Sequence, residues 1–223
     1  MNGRPVLLLA TRSLGKLSEL APLAEARGWQ VETLARAGVQ EHAEEGGLEV
    51  AETFAGNAVA KARYFAARTG RLVLAEDSGL EVDALGGAPG VRSKRWAADW
   101  GAGGAPAATA VAEGAVDAAN VQRLLAELVR VGADAPASRR ARFVGVAVAA
   151  MGERLWQAEG AAPGVILPAP CGTLGFGYDP VFWSTELGAC FGEVPQEAKN
   201  RVSHRARAVA AVLDALGTVW GHC

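Results

Sequence analysis

Leucine-rich or β-branched runs at residues 6–10, 29–34, 71–75, 80–85 and 141–151 alternate with stretches of helical spacing at 15–27, 52–68, 117–131 and 204–218. Short apolar runs bounded by polar turns suit buried strands, and apolar positions three and four apart suit helices with one face on a core. Strands and helices taken in turn along one chain give an α/β fold. The 223 residues suffice to bury the core of one domain. Residues 1–223 are therefore expected to form a single domain, as two packed lobes with no independent second domain. The stretch 96–115, "WAADWGAGGAPAATAVAEGA", carries neither period and reads as a long surface loop.

Charge and cysteine content narrow the function. Lysine and arginine number 22 against 24 acids, a formal charge of -2. That balance supplies no long-range field for nucleic acid or a membrane surface, so any anion site must be local. The apolar run in "PVLLLA" is too short for a signal peptide or a span, and a cytoplasmic location is expected. Cys171, Cys190 and Cys223 are odd in number and widely spaced. They fit neither a disulfide framework nor paired zinc ligands and are expected to be reduced thiols.

Several stretches carry chemistry. In "LLLATRSLGKLSEL" a strand turns into a helix, with Thr11, Ser13 and Lys16 at the turn. Backbone N–H groups and the helix dipole favour an anion there, although a surface lysine after an ordinary turn fits equally well. In "ETFAGNAVAKARYFAARTG" the helical period puts Lys61 on one stripe with Phe54, Ala58 and Phe65, with Asn57 on its flank. Either the lysine snorkels, or a carboxylate or phosphate waits beside it. In "VSHRARAVAAVLDALG", Ser203 caps a helix whose first turn holds His204 and Arg205, where cations oppose the dipole unless an acceptor or anion is near.

The densest acidic feature is Glu76–Asp77, read as the end of the strand "RLVLA". Adjacent carboxylates are tolerated around a hard cation such as Mg²⁺, with Glu49 or Glu52 offering a further oxygen, or as a solvated turn. The glycines at 86, 87 and 90 and Pro89 permit a tight turn and close backbone approach to a ligand. In "TLGFGYDPVFW", Phe176 and Tyr178 can stack on a base beside Asp179, or can belong to the core.

"ATRSLGK", "TFAGNAVAKAR", "EDSGLEVDALGGAPGVRSKR", "GFGYDPVF" and "KNRVSHR", in this order and at this spacing, resemble the inosine triphosphate pyrophosphatases. That family hydrolyses the non-standard purine nucleotides ITP, dITP and XTP to the monophosphate and pyrophosphate, and the resemblance spans nearly the whole chain. It implies an elongated α/β fold, a long central mixed β-sheet with two helical lobes flanking a substrate cleft, in a homodimer using Mg²⁺. It implies that Thr11, Arg12, Ser13, Leu14, Gly15 and Lys16 hold the phosphates, with Asn57 nearby and Lys61 polarising them. Asp77 would be the catalytic base and a metal ligand with Glu76 and Glu49, and Ser78 would touch the substrate. Phe176 would stack on the purine, with Gly177, Tyr178, Asp179 and Lys199 around it, and His204 with Arg205 would read its six-position oxygen. The chain departs from the family's pattern at Ser13, usually Asn, at Glu76, usually Asp, and at Arg92. Two rivals follow: a nucleotide-binding sensor that has lost turnover, and an enzyme of the same chemistry with another base preference.

Overall fold

The computed structural model describes residues 4–99 and 113–220. The elements run β1 (Val6–Leu9), α1 (Leu14–Glu25), β2 (Gln30–Thr33), α2 (Phe54–Thr69), β3 (Val73–Val82), α3 (Glu113–Arg130), β4 (Arg140–Met151), β5 (Arg154–Ile166), β6 (Phe182–Ser184), β7 (Ala189–Cys190), α4 (Gln196–Asn200) and α5 (His204–Trp220). The strands form one sheet in the order β2-β1-β3-β4-β5-β6-β7. It is mixed: β1 pairs in parallel with β2 and β3, whereas β6 pairs antiparallel with β5 and β7. The α/β fold expected from the alternation is therefore the observed one.

The chain divides into two compact units. The first comprises residues 1–77, 145–161 and 203–223, and the second 78–144 and 162–202. The core of the first gathers Leu7 and Leu9 of β1, Leu20 of α1, Trp29, Leu74 of β3, and Val209, Val212, Leu213 and Leu216 of α5. Complete burial of a leucine side chain contributes about 1.5–3 kcal/mol, so the apolar stripe of α5 suffices to hold that helix on its core. The core of the second unit collects Leu80, Leu124 and Leu128 with Phe143, Ile166, Phe182 and Phe191.

Helix α1 starts where Ser13 accepts from the Lys16 N–H, and α2 where Thr53 accepts from the Gly56 N–H. Helix α2 stops at Gly70, whose φ of 65° is left-handed. The buried face of α2 includes Phe54, Ala58, Lys61 and Phe65, as the helical period requires.

Two expectations need correction. The runs at 71–75 and 80–85 are one strand, β3, followed by a single helical turn at Asp83–Leu85. Glu76 and Asp77 thus sit inside a buried strand, not at its end, because basic side chains from neighbouring helices neutralise them. Of the stretch read as a loop, Trp96–Asp99 close a 3-10 segment from Gly90, and α3 begins at Glu113. Residues 100–112 lie outside those described, as does Cys223.

Candidate functional site

Within the first unit, β3 delivers Glu76 and Asp77, α1 delivers Lys16, α2 delivers Asn57 and Lys61, and α5 delivers His204 and Arg205. Glu76 is 1% exposed and Asp77 7%, so both acids require compensation. For Glu76 the partners are cations: Lys16 Nζ is 3.0 Å and Arg205 Nε 3.3 Å from its carboxylate. Asp77 is oriented from both sides. The Asn57 amide donates to Oδ2 at 2.9 Å, and Lys61 Nζ lies 3.3 Å from Oδ1, with Lys16 Nζ at 3.9 Å. Asn57 is itself fixed, because its carbonyl accepts from the Ala51 N–H at 2.9 Å. Lys61 also reaches Glu49 at 2.7 Å, so of the two upstream acids considered, Glu49 is the one on the lysine.

The electrostatics follow from burial and partners. Burial raises the Asp77 carboxyl above the ordinary aspartate range, with Lys61 and Lys16 opposing that shift. Burial also lowers Lys16, which Glu76 only partly offsets. For Lys61, burial works against the charge, but Asp77 and Glu49 outweigh it and hold the ammonium on. For Arg205 burial is likewise outweighed, here by Glu76 and Glu19. The site is a buried set of alternating charges, and one of its acids is shifted towards the range useful to a general base.

Among the phosphate candidates, Ser13 caps α1 and Thr11 Oγ1 accepts the Ser13 N–H at 3.2 Å, so this turn presents a helix N-terminus. Leu14 is 75% exposed on that first turn. The Gly15 carbonyl accepts from Ser18 at 2.8 Å. Arg12 lies elsewhere in its contacts, paired through Nε with Glu45 at 2.6 Å. At the start of α5, Arg205 has the acceptors that the helix dipole demands, since it pairs with Glu19 as well as Glu76, and His204 beside it is buried. Glu19 was missed from the sequence. It is completely buried on α1, three residues after Lys16 and beside Leu20.

The second unit holds the other candidates. Asp179 is 2% exposed and accepts the Lys199 ammonium at 2.5 Å and the Phe176 N–H at 2.9 Å. The Lys199 Nζ lies 5.1 Å from the centre of the half-buried Phe176 ring. Gly175 has a φ of 75°, and a Cβ there would fall 2.1 Å from Asp179 Oδ2, so the loop requires glycine. The Gly177 N–H donates to Asp117 at 2.7 Å, an acid the sequence did not single out. Of the two aromatics, Tyr178 is core: its ring is 4% exposed and its hydroxyl donates to the Ser93 carbonyl at 2.9 Å. Burial pushes that hydroxyl far above the usual tyrosine range. Ser78 follows Asp77 in β3 and is half-buried.

The Ham1 family matches residues 7–215. This chain belongs to the Ham1 family. A dITP/XTP pyrophosphatase of Desulforamulus reducens is 41% identical over 218 residues, covering 97% of this chain and 98% of that one. A dITP/XTP pyrophosphatase of Escherichia coli O157:H7 is 40% identical, covering 94% and 97%. Among solved structures, a HAM1 protein from Coxiella burnetii superposes with a TM-score of 0.74 at 29% identity, covering 98% of this chain and all of that one. A nucleoside-triphosphatase / dITP/XTP pyrophosphatase from Mycobacterium abscessus does so at 0.65 with 36% identity, over 95% and 99%. The Ham1 fold thus extends over both units, and the acid pair, the lysines and the Asp179 loop all lie within the matched span.

Proposed function

We propose that this Ham1 protein is a Mg²⁺-dependent pyrophosphatase that converts ITP, dITP and XTP to the monophosphate and pyrophosphate. The observation that carries the proposal is the convergence of Lys16 and Lys61 on Asp77 and on the carbonyl of Glu76, at 3.3 and 2.8 Å from that oxygen. Relatives named as dITP/XTP pyrophosphatases over nearly their full length support the same reading.

Each ammonium now rests on an acid and can exchange that acid for a phosphate. Two lysines beside the N-terminus of α1 provide charge and dipole for a triphosphate. The donors Glu49, Glu76 and Asp77 are hard oxygens, the class that binds Mg²⁺, and the ammonium groups on them mark where positive charge is accepted. When bound there, Mg²⁺ supplies charge neutralisation for the phosphates. Asp77 takes the proton of the water that attacks the α-phosphorus. Asn57 fixes one of its oxygens, so the other faces the cations. Positioning and charge do most of the work in such a transfer.

Base selectivity is assigned to Phe176 as the stacking surface, to Asp179 and Lys199 around it, and to His204 and Arg205 as donors to the six-position oxygen. The carboxylates of Glu19 and Glu76 hold the Arg205 guanidinium charged, as a donor to a keto oxygen requires. Adenine offers a donor at that position, and a polar site of this kind rejects it by roughly 10⁴. A homodimer is the proposed assembly.

The test is pyrophosphate release from inosine, xanthosine, adenosine and guanosine triphosphates, with Mg²⁺ and with chelator. Metal-dependent release from the first two alone is expected. Silence on all four, with inosine triphosphate still bound, would replace the enzyme by a sensor.

A further inference from the structure

The second unit contains a cluster that the proposed hydrolysis does not use. Cys171, Cys190 and Glu193 each place one ligand atom so that all three lie within 4.8 Å of one another. The sequence conceals this, because 19 residues separate the thiols and no short cysteine motif is present.

The backbone holds the cluster tightly. The Cys171 N–H donates to the Pro180 carbonyl at 2.7 Å, Leu174 to Gly192 at 2.8 Å, and Gly192 to Asp179 at 3.0 Å. The two segments approach so closely that a Cβ at Gly172 would fall 1.9 Å from the Gly192 carbonyl oxygen, and one at Gly192 would fall 2.3 Å from that of Cys171. Only glycine fits either place, so the thiols are set by backbone contact and not by mobile loops.

The surroundings favour a cation. Cys190 Sγ is buried with three carbonyl oxygens about it, Cys171 at 3.3 Å and Asp179 and Pro180 at 3.5 Å. A single S–H can satisfy one of these acceptors. The carboxylate of Glu193, with an oxygen within 4.8 Å of both sulfurs, brings a negative charge to the same place.

We propose that Cys171, Cys190 and Glu193 form a site for a soft divalent cation of the zinc class, with two sulfurs, one carboxylate oxygen and solvent as a fourth ligand. Cys171 is half-buried and Glu193 exposed, so an ion and its water have access from outside. Uptake displaces the two thiol protons into the buffer and leaves a neutral thiolate–metal pair with one carboxylate. Bound there, the ion ties the start of the Asp179 loop to the turn after β7.

The experiment is a Co²⁺ titration of the reduced full chain, followed by displacement with Zn²⁺. A sulfur-to-cobalt charge-transfer band with tetrahedral ligand-field bands is expected at one ion per chain, abolished by Zn²⁺. Cys171→Ser should lose the charge-transfer intensity, Glu193→Gln should weaken binding while keeping it, and Cys223→Ser should leave the spectrum unchanged. Absence of the band overturns the proposal, as does a band of undiminished intensity in Cys171→Ser. Loss of two thiols to an internal disulfide in the presence of excess Zn²⁺ would also overturn it.

Discussion

Lys61 and Lys16, from different helices, donate to the same atom, the main-chain carbonyl oxygen of Glu76, at 2.8 and 3.3 Å. Two ammonium groups so close repel each other unless acids surround them, and Glu49, Glu76 and Asp77 do so. On the proposed function, the site holds its cations together before a phosphate arrives, and the phosphate replaces acids that already surround them.

Lys61→Met tests that arrangement. It removes the partner of Asp77 and Glu49 and leaves Asp77 less compensated, so a loss of about 3 kcal/mol in urea unfolding is expected. Pyrophosphate release should fall by at least about 10² because a phosphate donor is lost. Full activity at reduced stability would reduce Lys61 to a structural counter-ion.

Asp77→Asn separates chemistry from folding. The amide keeps the shape and can still accept from Asn57, but it cannot take a proton. Turnover should drop by at least about 10³ with an unchanged circular dichroism spectrum and retained inosine triphosphate binding. A rate near the parent's removes Asp77 as the base.

Glu19→Gln probes the acid hidden on α1. Breaking one side of a completely buried pair leaves the Arg205 charge uncompensated there, and about 3 kcal/mol of stability should be lost. If Arg205 reads the base, the variant should also accept adenosine triphosphate better relative to inosine triphosphate. Unchanged stability would show that Glu76 alone suffices for Arg205.

Gly175→Ala bears on the second unit. A methyl group 2.1 Å from Asp179 Oδ2, at a φ of 75°, must push the carboxylate off the Phe176 N–H. An increase in KM for inosine triphosphate with a smaller change in kcat is expected, together with a stability loss of about 1–3 kcal/mol. The same KM in the variant would disconnect this loop from the base.

Glu45 gives a pH dependence of known sign. The hydrogen bond from Arg12 lowers its carboxyl below the usual range, against burial. A depressed acid stabilises the fold above its unfolded pKa, about 4.3, and the contribution fades as pH falls through the lower folded value. Because the pair is partly solvated, Glu45→Gln should cost about 1 kcal/mol at most at neutral pH. The gap should shrink as pH falls below the unfolded value and through the lower folded one, and a constant gap across the acid range in urea titrations would refute the linkage.

Much of this could be read from local pattern. The helical period alone put Lys61 among Phe54, Ala58 and Phe65, and all four are buried on α2. The acid pair was visible but misplaced, since charged residues inside a strand resemble a turn until the helices that neutralise them are known. Glu19 was not legible, because its partner lies 186 residues away. Strand β5 was hidden by its glycines, and each has a packing cause. A Cβ at Gly160 would fall 2.2 Å from the His204 carbonyl oxygen, and one at Gly164 would fall 2.4 Å from that of Trp183. Cys171 and Cys190 were read as isolated thiols because a backbone approach made by Gly172 and Gly192 has no pattern along the chain.

The composition of the first unit bears on how the protein is made. Its core unites β1 with Val209, Val212, Leu213 and Leu216, which lie far along the chain from it and are synthesised long after it. Until α5 is synthesised, the apolar faces of β1, α1 and β3 lack their cover, and Glu19 and Glu76 lack the Arg205 guanidinium. The nascent chain must therefore carry an uncovered core and two buried-to-be acids until α5 emerges, and the charge cluster is completed only when that helix docks.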